Sequence, residues 1–142
     1  KGKAAFKYAL VPYGAGKDLI KLFDLFTQLA FALGDLTLIC EELSDVCKGG
    51  SCSAAGWRKC ITQGRSKGLA IYALSQRPTL MDKDTLANAS KIRCGRLGWA
   101  KDAKNLAPVM WVEEGDLINL QPLEYVEYDA KTRQVNRGKL TF

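Results

Sequence analysis

Two stretches place chemically capable side chains directly after apolar runs. LTLICEEL (residues 36–43) ends a run of Leu, Ile and Cys on the adjacent carboxylates Glu41 and Glu42. LAIYALSQRP (69–78) ends a second run on Ser75, Gln76 and Arg77, ahead of Pro78. A carboxylate can hold a hydrated divalent cation or take a proton from water, an amide can orient that water, and a guanidinium can neutralise phosphate. In an open parallel sheet such groups gather beyond the carboxyl ends of the strands. If the two runs are neighbouring parallel strands, acids, amide and guanidinium meet at one rim. Taken alone, an acid pair after a strand is also what a chain shows on reaching solvent, and Gln-Arg-Pro is an ordinary turn.

The elements that must hold these groups follow from periodicity and punctuation. Residues 4–11 (AAFKYALV) read as a strand ended by Pro12, with a loop over 13–16. A helix over 18–33 places Leu19, Leu22, Phe23, Phe26, Leu29, Ala30 and Leu33 on one face, with Asp18 as its N-cap and Gly34 as its C-cap. The strand 36–41 follows, then a polar, Gly-rich stretch (44–53) that reads as a mobile loop. Residues 54–64 form a second helix with Trp57, Cys60 and Ile61 on one face. The near-continuous apolar run 69–75 fits a strand buried on both faces. A short helix over 84–90, a strand over 91–99 and a helix over 100–110, helical until Pro108, come next. The segments 123–129 and 134–142 flank AKTR and read as a β-hairpin, about 122–142. The alternation predicts a single α/β domain over 1–142 with a mostly parallel sheet and right-handed crossovers.

Composition narrows the chemistry. Apolar residues are 47% of the chain, enough for a sizeable core, and the net charge of +6 suits an anionic partner, nucleic acid first. There is no His, which excludes His-based triads and general bases. The five cysteines form no CxxC pair, Cys47 and Cys52 are too sparse for a zinc site, and free thiols in a reducing compartment are expected. No apolar run reaches the roughly 18 residues of a membrane span. The chain opens on Lys1 without an initiator Met and reads as a segment of a longer protein.

LTLICEEL, then about 20 residues, then GRSKGLAIYALSQRP closely resembles the FtsK/HerA group of P-loop ATPases, in particular the branch that packages or translocates viral and plasmid DNA. The resemblance runs from about residue 5 to 107 and also takes in KDTLANASKIRCGRL. It implies a three-layer, RecA-like core, incomplete at its amino end and lying downstream of the Walker A motif, with the Walker B to sensor region at 36–78. It implies that Glu41 matches the Walker B acid that places Mg²⁺ through water. Glu42 matches the glutamate that activates water, and Gln76 the polar sensor of the next strand. Arg65, within Gly64-Arg65-x-x-Gly68, matches an arginine finger acting in trans. Arg77 and Arg93 are further candidates for phosphate or interface contacts. The implied cofactors are ATP and Mg²⁺. The implied partners are double-stranded DNA, copies of the chain in a ring, a hexamer in form, and capsid or membrane-vertex proteins. The implied setting is the cytoplasm, or a virion if the source is viral.

One motif departs from that pattern. A phosphate-cradling loop needs G-x-x-x-x-G-K-[ST]. In VPYGAGKDL, Val11 stands where the first Gly belongs and Asp18 where the hydroxyl belongs. A carboxylate there repels phosphate, so Gly14, Gly16 and Lys17 are read as a loop and helix start. Two functions are therefore expected. One is an ATP-driven DNA motor subunit whose Lys48, Lys101 and Lys104 touch DNA phosphates. The other is a non-catalytic, basic nucleic-acid-binding or assembly module on a degenerate ATPase fold. Trp57, Trp99 and Trp111 are read as core or interface residues rather than DNA-stacking ones.

Overall fold

The computed structural model describes residues 7–11 and 16–142. Residues 4–6 of the strand read at 4–11 and residues 13–15 of the loop read at 13–16 lie outside the described residues. Of the strand, 7–11 are exposed and belong to no sheet, because no described strand offers them a ladder.

Helix α1 spans Lys17–Leu33 and strand β1 Thr37–Cys40. Gly16, at φ 70°, takes the N-cap position in place of Asp18, which sits in the first turn within 3.7 Å of Lys21. Gly34 closes the helix at φ 63°. Beyond β1 the chain makes a 3-10 turn over Leu43–Val46. The stretch read as a mobile loop is instead a tight hairpin, β2 (Cys47–Lys48) against β3 (Ser51–Cys52), turned by Gly49 and Gly50 at φ 59° and 79°. Two successive positive φ values make the turn type that matches the twist of a hairpin. Helix α2 follows at Ala55–Gln63, and strand β4 at Ala70–Ala73.

Strands β1 and β4 pair in parallel, Thr37 opposite Ala70 and Cys40 opposite Ala73. Leu38 and Cys40 point inward to a core with Trp57, Cys60 and Leu43. The two helices meet closely: the Gly56 N–H donates to Asp24 Oδ1 at 2.7 Å, and a Cβ there would lie 2.6 Å from the Asp24 carbonyl oxygen. Trp57 is fully buried, and its indole N–H donates to Thr85 Oγ1 at 2.9 Å. The opposite face of the pair carries Ile39 and Tyr72, each 60% exposed. The run 69–75 is therefore not buried on both faces among the described residues, because α1 and α2 pack together on the Leu38 side.

The second half has its own core. After α3 (Lys83–Asn88), strand β5 (Lys91–Cys94), helix α4 (Ala100–Met110) and the short α5 (Glu114–Ile118), strands β6 (Glu124–Asp129) and β7 (Gln134–Lys139) complete the chain. Strand β5 pairs antiparallel to β6, and β6 antiparallel to β7. In place of one mostly parallel sheet, the described strands form three sheets, with parallel pairing confined to β1 and β4. Val126, Leu117, Met110 and Ala103 pack beneath the antiparallel sheet. Helix α4 runs past Pro108 to Met110. The ring removes a single hydrogen bond near the helix end, while the flanking Ala107 and Met110 are fully enclosed and hold the last turn in place. Helix α5 went unread because its five residues are too few to show periodicity. Its signal was the capping pair Glu113 and Asp116.

Candidate functional site

The parallel register brings the carboxyl ends of β1 and β4 side by side. Leu74 N–H donates to the Cys40 carbonyl at 2.9 Å, and Leu43 N–H to the Leu74 carbonyl at 2.9 Å, so the pairing continues past both strands. Glu41 is exposed in the turn that follows. Glu42 adopts a left-handed backbone at φ 48° and leads the 3-10 turn. Non-glycine residues adopt this conformation infrequently. It folds the chain back so that the carboxylate faces the neighbouring strand end: Ser75 Oγ donates to Glu42 Oε1 at 3.3 Å, and Ser44 Oγ donates to the same oxygen. The Arg77 N–H in turn donates to Ser75 Oγ at 3.0 Å. A chain of hydrogen bonds therefore runs from Glu42 through Ser75 into the Gln76-Arg77 segment.

Gln76 and Arg77 line an open groove of about 420 Å³ with Arg96, Leu97, Gly98, Trp99 and Asp102. Arg77 Cζ lies over the Trp99 ring, 4.2 Å from its centre, and Arg77 Nε donates to Asp102 Oδ2 at 3.1 Å. Asp102 is only 2% exposed. It also accepts from the Thr79 N–H at 3.0 Å and from the Thr79 hydroxyl. Burial pushes its carboxyl up, but the Thr79 and Arg77 hydrogen bonds outweigh burial and hold it below the ordinary carboxylate range. Sequence reasoning did not find Asp102, Trp99 or Arg96, which come from elements that only tertiary packing brings to Gln76. The one signal was Asp102 itself, a lone acid on the buried side of an amphipathic helix.

The other candidates lie elsewhere. Arg65 is exposed in a 3-10 turn, Gly64–Lys67, that precedes β4. It therefore sits at the amino end of the parallel pair. The four residues of β4, roughly 13 Å of strand, separate that turn from the Glu42 end. The turn is anchored where Asp35 N–H donates to the Lys67 carbonyl at 2.7 Å. Gly68, at φ 69°, ends it, and a Cβ there would lie 2.3 Å from Asp35 Oδ1. Arg93 is on β5, paired with Glu127 Oε2 at 2.6 Å and lying 4.4 Å over Tyr125. Its charge is committed to the antiparallel sheet rather than to the strand-end rim. Lys101 and Lys104 are exposed on α4, Lys101 within 5.9 Å of the Trp99 ring. The Lys48 side chain lies outside what the structure describes. Of the tryptophans read as core or interface, Trp57 is core, whereas Trp99 and Trp111 are 49% and 77% exposed.

No family model matches the chain. Protein P9 of Pseudoalteromonas phage PM2 is 30% identical over 128 residues, which cover 84% of this chain and 58% of the phage protein. Among solved structures, the genome-packaging NTPase B204 of Sulfolobus turreted icosahedral virus 2, in complex with AMPPCP, superposes with a TM-score of 0.72 at 15% identity. The match covers 88% of this chain and 62% of B204. The plasmid coupling protein TrwB, in complex with the GTP analogue GDPNP, superposes with a TM-score of 0.67 at 16% identity, covering 87% and 37%. The chain has the fold of the FtsK/HerA-type P-loop ATPases. It spans less than two thirds of the length of these relatives. Within an FtsK/HerA-type fold, the rim formed by Glu41, Glu42, Ser75 and Gln76 lies at the carboxyl ends of adjacent parallel strands, where open α/β sheets hold their ligands.

Proposed function

We propose that the chain is part of an ATP-hydrolysing motor that packages or translocates double-stranded DNA, and that it carries the water-activating side of the nucleotide site. The observation that carries this reading is the Glu42–Ser75 hydrogen bond across the joined strand ends, next to Gln76. Glu42 takes a proton from the attacking water, the two serine hydroxyls fix the direction of its carboxylate, and Gln76 orients the water. The exposed carboxylate of Glu41 suits a hydrated Mg²⁺, which when bound neutralises charge on the phosphates of ATP. The described residues supply no Walker A loop for the phosphate side.

Arg65 lies too far along the sheet to serve Glu42 of its own chain, which supports a finger acting on a neighbouring copy in a ring, a hexamer in this proposal. Lys101 and Lys104, with Lys48, would contact DNA phosphates without sequence preference. Work on a viral genome would set the motor in the host cytoplasm or on the virion, against capsid or membrane-vertex proteins.

The test is DNA-stimulated ATP hydrolysis by the product of the complete reading frame. Glu42→Gln should lower turnover at least ~100-fold with ATP binding retained. Hydrolysis at the parental rate would sink the motor reading. It would favour instead a non-catalytic nucleic-acid-binding or assembly module. Arg65→Ala should abolish turnover while sparing ATP binding by the isolated subunit; loss of that binding would assign Arg65 to its own subunit's site.

A further inference from the structure

Cys47 and Cys52 are two cysteines that the β2–β3 hairpin sets directly opposite each other. The turn between them has two residues, Gly49 and Gly50, so Lys48 and Ser51 form the closing pair. In an antiparallel ladder the hydrogen-bonded and non-hydrogen-bonded pairs alternate, and the closing pair of such a hairpin is the hydrogen-bonded one. Cys47 and Cys52 are then the closer type, with Cα atoms about 4.5 Å apart and side chains on one face. That spacing lies within the range a disulfide spans without moving the backbone.

The surroundings assign the two sulfurs different roles. Cys47 is buried, while Cys52 is partly exposed. A hydrogen bond to Cys52, then burial, hold the Cys47 thiol well above its ordinary range. The same contact with Cys47 holds the Cys52 thiol below the ordinary range, against burial and the charges of Asp82 and Asp24. The remaining cysteines differ. Cys40 is buried and pushed up to about 12, and Cys60 and Cys94 are buried and pushed up to about 11. The hairpin is also anchored from outside, since Cys52 N–H donates to Asp82 Oδ1 at 3.1 Å and Lys83 N–H to the Gly50 carbonyl at 3.1 Å.

We propose that Cys47 and Cys52 form a reversible dithiol–disulfide site, oxidised by low-molecular-weight disulfides such as glutathione disulfide. The Cys52 thiolate attacks one sulfur of glutathione disulfide, forming a mixed disulfide and releasing one glutathione thiolate. Cys47, deprotonated as the released thiolate takes up its proton, attacks the Cys52 sulfur and expels the second glutathione. Two electrons pass from the protein to glutathione disulfide, and two glutathione thiols result. Reduced glutathione reverses both steps. The site is independent of the motor reading, because neither cysteine takes part in the proposed hydrolysis.

The experiment equilibrates the chain with glutathione and glutathione disulfide over a range of ratios. It then quenches in acid, alkylates free thiols under denaturing conditions and maps the peptides by mass spectrometry. The expected result is an intrachain Cys47–Cys52 disulfide whose yield follows the ratio and returns to zero with excess glutathione, while Cys40, Cys60 and Cys94 remain alkylated. Cys47→Ser should accumulate glutathione on Cys52, and Cys52→Ser should block oxidation at Cys47. Persistently free Cys47 and Cys52 in the parent chain would overturn the proposal, as would a stable mixed disulfide in place of the intrachain bond. Oxidation spread equally over all five cysteines would overturn it as well.

Discussion

Replacing Asp102 with Asn removes one negative charge and keeps the side-chain shape. In the parent, Oδ1 accepts from the Thr79 N–H and hydroxyl, and Oδ2 accepts from Arg77 Nε at 3.1 Å. The amide can keep its carbonyl on Thr79, but its NH₂ then faces the Arg77 donor. One charge-assisted bond is lost, about 1.5–3 kcal/mol, and the two bonds left on Thr79 lose their ionic component. Arg77 is 44% exposed and can turn to water, which keeps the cost below that of a fully buried pair. The sum is about 3 kcal/mol, a fall in Tm of about 10 °C for a domain of this size. Urea denaturation followed by far-UV circular dichroism measures it. The pH dependence adds a second reading. The folded carboxyl titrates below its unfolded range, so its stabilisation is fully present above about pH 4 and disappears as the pH falls through the folded value. The gap between parent and variant should close in acid accordingly. A loss under about 1 kcal/mol at neutral pH, or a gap that widens in acid, would refute the argument.

Three further outcomes are expected. Gly56→Ala should cost about 3 kcal/mol in the same denaturation assay, because the new methyl meets the α1 backbone at Asp24 and Gln28. Gly68→Ala should cost about 1–2 kcal/mol through its left-handed backbone, with the Asp35 side chain turning aside. Arg93→Ala should lower stability only slightly, and the loss should shrink in high salt, because the Arg93 side chain is half open to water.

The two strand-end motifs were legible because each apolar run stops where its strand stops, and the polar residue types follow at once. Their adjacency followed from the parallel-sheet rule, and the β1–β4 register bears it out. The helices α1 and α2 were legible from periodicity, with Trp57 and Cys60 inside. The first cap of α1 was misread because Asp18 and Gly16 both suit a helix start, and the left-handed turn selected the glycine. The hairpin at 47–52 was hidden by its own residues: two-residue strands show no alternation, and Gly49-Gly50 looks like a flexible loop until its φ values are known. The hairpin of β6 and β7 is legible from its alternation, whereas β5 alone reads as part of the parallel sheet, because it is as apolar on one face as a parallel strand would be. Only its pairing with β6, fixed by Lys91 between Glu127 and Asp129, distinguishes the two.

The Asp102 cluster does more than stabilise. The core beneath β1 and β4 and the core beneath the antiparallel sheet are separate clusters, with Leu86 packed against both. Arg77 and Thr79 belong to the segment leaving β4, whereas Asp102 and Trp99 belong to α4 and its approach. Their bonds therefore fasten the strand end that carries Gln76 to the second core. Glu42 has a second tether at Ser44, beside β1, in addition to Ser75, which adjoins Gln76. Loosening Asp102 should then move Gln76 with respect to a Glu42 that stays in place. Amide and side-chain NMR spectra of Asp102→Asn should shift Gln76, Thr79 and Gly98, and leave Leu38, Ile39 and Ser44 unchanged. Shifts spread evenly over both groups would mean that the two halves are fastened by general packing, and that Asp102 has no special part in aligning the amide with the acid.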